Sequence, residues 1–193
     1  MKKNVLLALV SLLLLSGCAG EFNKVYKSSN IDYRYEYAKE CFAMGKYVRA
    51  ATLLQELVTI EKGTDNGEEC LYMLAMSEYM SKDYETAAEY FKKYFQAYPR
   101  GQYAEMAAFY IGESLYMITP EPRLDQTPTY AAISAYQEYL DLFPDAQKKN
   151  EAQHKMMELQ YKLIQKELAT SQLYYNLGNA YYRTDQYGYA ILN

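Results

Sequence analysis

The sequence predicts an all-α protein, a right-handed α-solenoid of stacked helix-turn-helix repeats. The first observation is a spacing that occurs three times, in which a small residue is followed twelve positions later by alanine. The second is that a tyrosine stands three residues before each of these alanines. Small residues at a fixed spacing let the two helices of a hairpin pack closely, and a recurring unit indicates a repeat protein. The small residues are Ala38 and Ala50, Ala75 and Ala87, and Gly178 and Ala190, and the tyrosines are Tyr47, Tyr84 and Tyr187.

The last copy identifies the type of repeat. It reads Tyr174-x2-Leu177-Gly178-x2-Tyr181 and is followed by Ala190. This matches the tetratricopeptide pattern W-x2-L-G-x2-Y…A except that tyrosine replaces tryptophan. Stacked hairpins of this kind form a concave surface that binds other polypeptides, so we expect a binding protein and not an enzyme.

The chain divides into successive repeats. We predict tetratricopeptide repeats over residues 31–64, 68–101 and 105–146, followed by a long helix over 150–184 that leads into a partial repeat over 171–193. The third repeat carries an insertion, because Ala132 follows Gly112 by twenty positions where the motif has twelve. Residues 118–128 contain three prolines and are predicted to form a loop. Because the second helix of the last repeat has barely begun at Asn193, we expect the solenoid to be C-terminally incomplete.

The N-terminal residues are typical of an exported lipoprotein. Residues 1–17 contain two lysines, then an apolar run from Val5 to Leu15, and are interpreted as a signal peptide. The ending Leu15-Ser16-Gly17-Cys18 looks like a bacterial lipobox, which would make Cys18 the site of lipid attachment. The alternative is an ordinary secretion signal followed by an incidental cysteine. Residues 18–30 are polar and are interpreted as a lipidated tether.

Composition excludes several classes of function. Without residues 1–17 the chain has 18 basic against 24 acidic side chains, a net charge of −6, which disfavours nucleic acid as a partner. No HExxH, CxxC or glycine-rich phosphate motif occurs, and the single histidine, His154, has no catalytic spacing to an acid or nucleophile. We therefore expect no metal and no cofactor. Cys41 and Cys70 are expected to be separate, partly buried thiols, with a disulfide between them as the alternative.

Aromatic residues recur at two positions of the first helix of every repeat. Two positions in each of four copies give eight residues, and all eight are aromatic. Aromatic residues make up only 16% of the chain, so composition alone does not explain the pattern. Positions five and twelve are two turns apart on one helix face, so we expect two rows of rings along a concave wall. The alternative is that the rings merely pack against the neighbouring helix. Position five holds Tyr35, Tyr72, Phe109 and Tyr175, and position twelve holds Phe42, Tyr79, Tyr116 and Tyr182, with Lys39, Glu69, Glu113 and Arg183 as the charged residues of the same surface.

The stretch from Leu115 to Pro144, together with the lipobox and the repeats, resembles the Bacteroidota branch of the BamD/YfiO/ComL family of tetratricopeptide lipoproteins. The resemblance covers essentially residues 18–193. It implies a scaffold on the periplasmic face of the outer membrane, within the machine that assembles β-barrel proteins (the BAM complex). It further implies two kinds of partner, the periplasmic domains of the barrel insertase and the C-terminal segments of unfolded outer-membrane proteins.

The resemblance also assigns roles to the rings. The earlier repeats would meet unfolded barrel proteins, so we expect peptide binding by the aromatic residues of the first three repeats. The long helix would lie nearer the insertase, with Tyr175, Tyr182 and Arg183 as partner-binding residues. The alternative function is a surface or periplasmic glycan-binding lipoprotein, since tyrosine rings also stack on sugars. The expected peptide-binding residues are Tyr35, Phe42, Tyr72, Tyr79, Phe109 and Tyr116.

Overall fold

The computed structural model describes residues 20–64 and 66–192, with side chains described up to residue 182. All regular structure in this part of the chain is helical, which confirms the all-α fold class. The chain forms two compact units, Met1–Ala104 and Glu105–Asn193. The helices are α1 (residues 20–26), α2 (Ile31–Ala43), α3 (Tyr47–Ile60), α4 (Gly67–Met80), α5 (Tyr84–Ala97), α6 (Ala104–Met117), α7 (Thr127–Leu142) and α8 (Lys149–Leu192).

The first unit is built from two hairpins, α2–α3 and α4–α5, and each helix from α2 to α5 packs against the next. The small residues that gave the repeat spacing lie in the interior of this unit. Ala38, Ala50, Ala75 and Ala87 are all 0% exposed. Leucines of α3 and α4 fill the space between the hairpins, with Leu53, Leu54, Leu57 and Leu74 fully buried. Close contact of small side chains and burial of leucines therefore hold the hairpins together.

The turns of the two hairpins are built identically. Gly45 ends α2 with a φ of +73°, and the N–H of Lys46 donates to the carbonyl oxygen of Cys41 at 2.8 Å. Lys82 ends α4 with a φ of +68°, and the N–H of Asp83 donates to the carbonyl oxygen of Glu78 at 3.0 Å. These are the 6→1 bonds of a Schellman ending, whose left-handed residue is usually glycine. The second hairpin thus keeps a strained lysine where the first has glycine.

Residues 20–26 do not form the polar tether that we expected. Residues 20–26 are helical, Val25 is 0% exposed and Phe22 packs against the core of the first unit. The hydroxyl of Tyr26 donates to Oε1 of Glu56 at 3.1 Å. Phe22, Val25 and Tyr26 stand at i, i+3 and i+4, which places them on one face of a helix. The signal peptide and Cys18 lie outside the described residues.

Both internal cysteines are in the interior of the first unit. Cys41 is 2% exposed and Cys70 0% exposed, and both are free thiols, which confirms the expectation of separate thiols. Burial raises the pKa of Cys41 and raises that of Cys70 to about 12. Since the thiolate is the reactive form, both groups are held in their unreactive state.

The second unit is organised around a contact between Gly112 and Tyr136. A Cβ on Gly112 would lie 2.7 Å from two ring carbons of Tyr136, so only glycine lets α6 and α7 approach this closely. Tyr136 is 0% exposed, and its hydroxyl donates to Oε1 of Glu113 at 2.5 Å. The Nζ of Lys155 on α8 donates to the same carboxylate at 2.6 Å. This one carboxylate thus joins α6, α7 and α8.

The insertion between α6 and α7 is ordered by buried polar contacts. Gln126 is 1% exposed, and its Nε2 donates to the carbonyl oxygens of Glu121 and Leu124 at 2.7 and 3.1 Å. The hydroxyl of Thr129 donates to Oε1 of Gln126 at 2.7 Å. From α8, the Nζ of Lys166 donates to the carbonyl oxygen of Leu124 at 3.0 Å. The polar backbone of the loop is therefore satisfied by side chains instead of by a helix.

The last helix is longer than we expected. α8 runs for 44 residues, whereas the repeat pattern predicts a helix that ends at 184 before a second one starts. That second helix is absent from the backbone described to residue 192, so this expectation is wrong. The segment after Arg183 contains no proline and continues the helical backbone. Among the described residues, no helix combines the length and the apolar composition needed to cross a membrane.

We predict opposite effects of substitution at the two equivalent turns. Lys82→Gly should raise the free energy of unfolding by about 1 kcal/mol, because glycine adopts the left-handed conformation without the Cβ clash. Gly45→Ala should lower it by about 1 kcal/mol for the same reason. Urea unfolding of each variant measures both effects. Lys82→Ala is the matched control, since it removes the side chain but keeps the clash, and a gain equal to that of Lys82→Gly would contradict this explanation.

Candidate functional site

The eight rings do not share one environment. Tyr35 and Phe109 are buried at 5% and 2% exposure, which corrects the expectation that they line an open wall. Phe42, Tyr72, Tyr79 and Tyr116 are half-buried, and Tyr175 and Tyr182 are exposed. The prediction of two continuous rows of exposed rings is therefore wrong. The peptide-binding role of each ring stays a prediction.

Tyr35 is buried because its hydroxyl joins the two hairpins of the first unit. It donates to Oε2 of Glu69 on α4 at 2.5 Å. The Nζ of Lys39 lies 5.0 Å from the centre of the Tyr35 ring and 3.6 Å from Oε2 of Glu69. Burial, followed by the hydrogen bond to Glu69, raises the pKa of Tyr35 well above its ordinary value. Tyr35 is thus a structural contact between the hairpins, and the Lys39–Glu69 ion pair lies beside its ring.

Phe109 fills the interior of the second unit. Its ring centre lies 6.1 Å from that of Tyr136 and 5.5 Å from that of Tyr139, and both tyrosines are fully buried. The Nζ of Lys148 lies 5.2 Å from the centre of the Phe109 ring. Because α7 supplies aromatic residues at the positions that face α6, Phe109 packs between helices. The alternative of simple interhelical packing is therefore correct for this ring.

Phe42 and Tyr79 make the same contact in successive hairpins. The ring of Phe42 meets that of Tyr47 edge-on at 5.6 Å, and the ring of Tyr79 meets that of Tyr84 edge-on at 5.4 Å. Tyr47 and Tyr84 are the first residues of α3 and α5. Edge-to-face pairs of this kind are worth about 0.5–1.5 kcal/mol beyond burial. These two rings close the ends of their hairpins, and only part of each remains open to a ligand.

Tyr72 differs from the other rings because it stacks on a residue that the motif did not single out. Its ring is parallel to that of Tyr103, with centres 4.2 Å apart and planes at 9°. Both side chains are half-buried. Tyr103 lies in the turn before α6, so no helical spacing could have linked it to Tyr72. The pair presents a rigid aromatic edge on the first unit.

Backbone contacts hold Tyr103 in this position. Its N–H donates to the hydroxyl oxygen of Tyr94 at 3.0 Å, and that hydroxyl donates to Oε1 of Glu68 at 2.5 Å. Gly101 is required beside them, since a Cβ there would lie 2.4 Å from Oε1 of Glu68 and 2.7 Å from the Tyr94 hydroxyl. The stack with Tyr72 is therefore supported by a partly buried hydrogen-bond network.

Charged side chains lie near the stacked rings of Tyr72 and Tyr103. Burial raises the pKa of Tyr103; the negative charges of Glu69 and Glu68 add to this, and the positive charge of Lys39 opposes it. Lys39 and Glu69 are partly exposed, with side-chain exposures of 38% and 36%. We call Lys39, Glu69, Tyr72 and Tyr103 the ring-pair surface. It offers aromatic edges for edge-to-face contact and one charge of each sign for hydrogen bonding.

In the second unit, the charged and aromatic residues that we expected on the surface are held by contacts between helices. We expected Glu113 on an open surface, but it is 5% exposed and is bound by Tyr136 and Lys155. Tyr116 is half-buried, its hydroxyl donates to Oε2 of Glu158 at 2.8 Å, and the Nζ of Lys155 lies 4.5 Å from its ring centre. These contacts tie α6 to α8.

The predicted partner-binding residues lie near the end of α8. Tyr175 and Tyr182 are 66% and 64% exposed. The side chain of Arg183 lies outside the described residues. His154 is an exposed helix residue, with Nδ1 3.6 Å from Oε1 of Glu158. Among the described residues, no cluster of three or more histidine, cysteine or acidic side chains could hold a metal ion.

Comparison with known proteins identifies the family. The model of the YfiO family, described as outer membrane lipoprotein, matches residues 28–187. This span includes both hairpins of the first unit and nearly all of the second. The chain belongs to the YfiO family of outer membrane lipoproteins. The family resemblance predicted from residues 115–144 and the lipobox is thereby confirmed.

A curated YfiO-type relative has a more specific name. The chain is 28% identical over 133 residues to a putative outer membrane protein assembly factor BamD of Aquifex aeolicus (strain VF5). The match covers 64% of this chain and 41% of the relative. This YfiO-family chain thus matches less than half the length of the relative.

We predict that Tyr116 titrates late because of its bond to Glu158. That bond, followed by burial, raises the pKa of Tyr116 to about 12. Since the folded pKa lies above the ordinary value of about 10, the stabilisation is complete below pH 10 and is lost as the pH rises towards 12. The Cζ chemical shift of Tyr116, followed by NMR against pH, measures this directly.

Glu158→Ala should lower the pKa of Tyr116 towards the ordinary value. Glu167→Ala is the control, because Glu167 is an exposed residue of the same helix without a contact to Tyr116 among the described hydrogen bonds. A titration of Tyr116 that is unchanged in Glu158→Ala would show that burial alone raises its pKa.

Proposed function

We propose that this chain is a lipid-anchored scaffold for the assembly of outer-membrane β-barrel proteins, attached through Cys18 and facing the periplasm. Membership of the outer membrane lipoprotein family supports the anchor and the location. The name of the Aquifex relative supports the assembly role. In this proposal the chain belongs to the BAM complex and contacts both the barrel insertase and unfolded barrel proteins.

The ring-pair surface is the observation that supports peptide binding. Tyrosine pairs that are held rigidly lose little conformational entropy when a ligand binds, and each ring offers both an apolar face and a hydroxyl. An extended segment that ends in an aromatic residue would place its ring against the edges of Tyr72 and Tyr103. Its backbone groups would meet Lys39 and Glu69, which supply a donor and an acceptor.

Burial narrows the set of peptide-binding residues. Tyr35 supports the ring-pair surface from within through its bond to Glu69, whereas Phe109 is covered inside the second unit. Phe42 and Tyr79 contribute partly open edges beside the hairpin turns. We therefore assign the main contact to Tyr72 and add Tyr103. The exposed residues Tyr175 and Tyr182 on α8, together with Arg183, remain the proposed contact of the second unit with the insertase.

We predict that Tyr103→Ala weakens binding of a barrel-protein C-terminal peptide by about 1–3 kcal/mol, because truncating a central aromatic contact has this cost. Fluorescence anisotropy with a labelled peptide that alternates polar and apolar residues and ends in phenylalanine measures the affinity. Tyr33→Ala is the matched control, since Tyr33 is a 40% exposed tyrosine on α2 outside the ring-pair surface.

Two further measurements make this test decisive. Circular dichroism should show the same helicity for Tyr103→Ala and the unmodified chain, because Tyr103 lies outside the helices. Equal affinities of Tyr103→Ala and Tyr33→Ala would remove the ring pair from the binding site. A tyrosine fluorescence change with oligosaccharides but none with the peptide would favour the glycan-binding alternative instead.

A further inference from the structure

The turns of the two hairpins in the first unit share a backbone conformation but differ in their surfaces. Each position of the first turn corresponds to a position 37 residues later, as Ala38 corresponds to Ala75 and Gly45 to Lys82. Around the turn, the first hairpin has apolar and basic residues where the second has polar and acidic ones. The differing residues are Met44, Lys46, Val48 and Arg49 in the first turn and, in the same order, Ser81, Asp83, Glu85 and Thr86 in the second.

The helix that follows the first turn is not stabilised by the charges at its start. Asp83 caps α5, because its side chain accepts a hydrogen bond from the N–H of Thr86 at 3.2 Å. Lys46 stands at the same position of α3 and makes no capping bond with its side chain. Arg49, three residues later, adds a second positive charge to the end of the helix where the backbone dipole favours a negative one. An external partner of negative charge would account for these two cations.

The apolar residues of the first turn are open to solvent. Val48 is 69% exposed and Met44 is 56% exposed, which makes them the two most exposed large apolar side chains among the described residues of the first unit. The Nζ of Lys46 lies 3.2 Å from the Sδ of Met44, so a positive charge stands directly beside this apolar surface. We call Met44, Lys46, Val48 and Arg49 the turn patch.

Helix α1 begins beside the turn patch. The guanidinium carbon of Arg49 lies 5.7 Å from the centre of the Phe22 ring, near the start of α1. One helical turn later, the hydroxyl of Tyr26 donates to Glu56, which lies seven residues further along α3. Helix α1 therefore runs away from the turn patch, and its first residues are the ones that lie next to it.

The position of Cys18 and the local charge both favour a membrane as the partner. Cys18 precedes Gly20, the first residue of α1, by two positions, which span at most about 7 Å. A lipid on Cys18 would thus hold the turn patch close to the bilayer surface. Residues 20–27 and 40–49 together contain four basic residues and two acidic ones, in a chain whose net charge is −4. This local positive charge is complementary to the phosphate groups of anionic phospholipids.

We propose that the turn patch is a second contact of the chain with the membrane. Met44 and Val48 enter the boundary between headgroups and acyl chains, and the two basic side chains of the patch bind the phosphate groups of anionic phospholipids. The methylene groups of Lys46 and Arg49 cover apolar surface while their charges reach the headgroups. This proposal goes beyond the anchor at Cys18, on which it rests. Acyl chains alone leave the orientation of the first unit free, whereas a contact through side chains fixes it.

A bilayer fits the turn patch better than a second copy of this chain does. In a symmetric contact the patch would meet itself, so that Lys46 and Arg49 would approach the same cations of the other copy. Two large apolar side chains also cover much less than the 800 Å² or so that each partner contributes to a standard protein interface. A bilayer contact needs no such area, because the acyl chains on Cys18 supply most of the binding.

A dye attached to the turn patch tests the contact. The acylated full chain with Val48→Cys is labelled with a nitrobenzoxadiazole dye and reconstituted into vesicles of phosphatidylethanolamine and phosphatidylglycerol. Glu85→Cys is the matched control, because Glu85 is exposed and holds the corresponding position of the α4–α5 turn. Cys41 and Cys70 are buried and Cys18 carries the lipid, so the dye is directed to the new thiol.

The dye at residue 48 should emit at a shorter wavelength than the dye at residue 85. Nitroxide-labelled phospholipids should quench it roughly twofold or more as strongly, because only a dye within the interface meets the nitroxide. In vesicles of phosphatidylcholine alone the quenching at residue 48 should fall, since each cation near an anionic surface contributes roughly fivefold in affinity. Unchanged quenching in those vesicles would contradict the role of Lys46 and Arg49.

Exchanging the surface of the first turn for that of the second should abolish the contact. The dye is placed at Met44→Cys, and Lys46→Asp and Val48→Glu are added. Aspartate is a favourable N-cap residue, as Asp83 is in α5, so the helicity measured by circular dichroism should be retained. Quenching should fall to the level of Glu85→Cys. Quenching that stays high in this variant would contradict the proposal.

The remaining outcomes separate the turn patch from the anchor. A chain that does not float with the vesicles would contradict lipid attachment at Cys18, and this proposal with it. A chain that floats, but whose dyes at residues 48 and 85 are quenched equally, would overturn the turn patch and leave the anchor standing. Emission at a shorter wavelength from residue 48 without quenching by lipid would show a contact with another protein chain, and would also overturn the proposal.

Discussion

The structure depends on hydrogen bonds that tyrosine hydroxyls donate to glutamates on other helices. Such bonds join α2 to α4, α5 to α4, α7 to α6 and α6 to α8. A buried phenol without an acceptor would cost roughly 1–3 kcal/mol, so a fully buried tyrosine such as Tyr136 is stabilised by a carboxylate at the right position. The four pairs are Tyr35–Glu69, Tyr94–Glu68, Tyr136–Glu113 and Tyr116–Glu158.

This requirement also explains which rings are open to a partner. A ring whose hydroxyl is bound to a glutamate, such as Tyr35, is held between helices and becomes part of the scaffold. The ring of Tyr72 instead stacks on the ring of Tyr103. The backbone N–H of Tyr103 donates to the hydroxyl oxygen of Tyr94, which fixes its position. The network that stabilises the first unit thus also shapes the surface proposed to bind peptides.

The sequence predicted the hairpins well because their packing depends on short-range spacing. Ala38 and Ala50 are buried at the helix contacts as expected, and the insertion before α7 is a loop. Exposure of individual rings was harder to predict, because Phe109 is covered by residues of α7 far along the chain. The Tyr72–Tyr103 stack was missed since a turn residue has no helical periodicity. Helix α1 was missed because its apolar residues stand among polar ones.

A double-mutant cycle on Tyr94 and Glu68 tests the central role of these hydrogen bonds most directly. The free energies of unfolding of Tyr94→Phe, Glu68→Ala and the double variant are compared with that of the unmodified chain. We expect a coupling energy of about 1–3 kcal/mol, as measured for hydrogen bonds to charged groups. Additive effects of the two substitutions would contradict the account, because they would show that the hydroxyl and the carboxylate contribute independently.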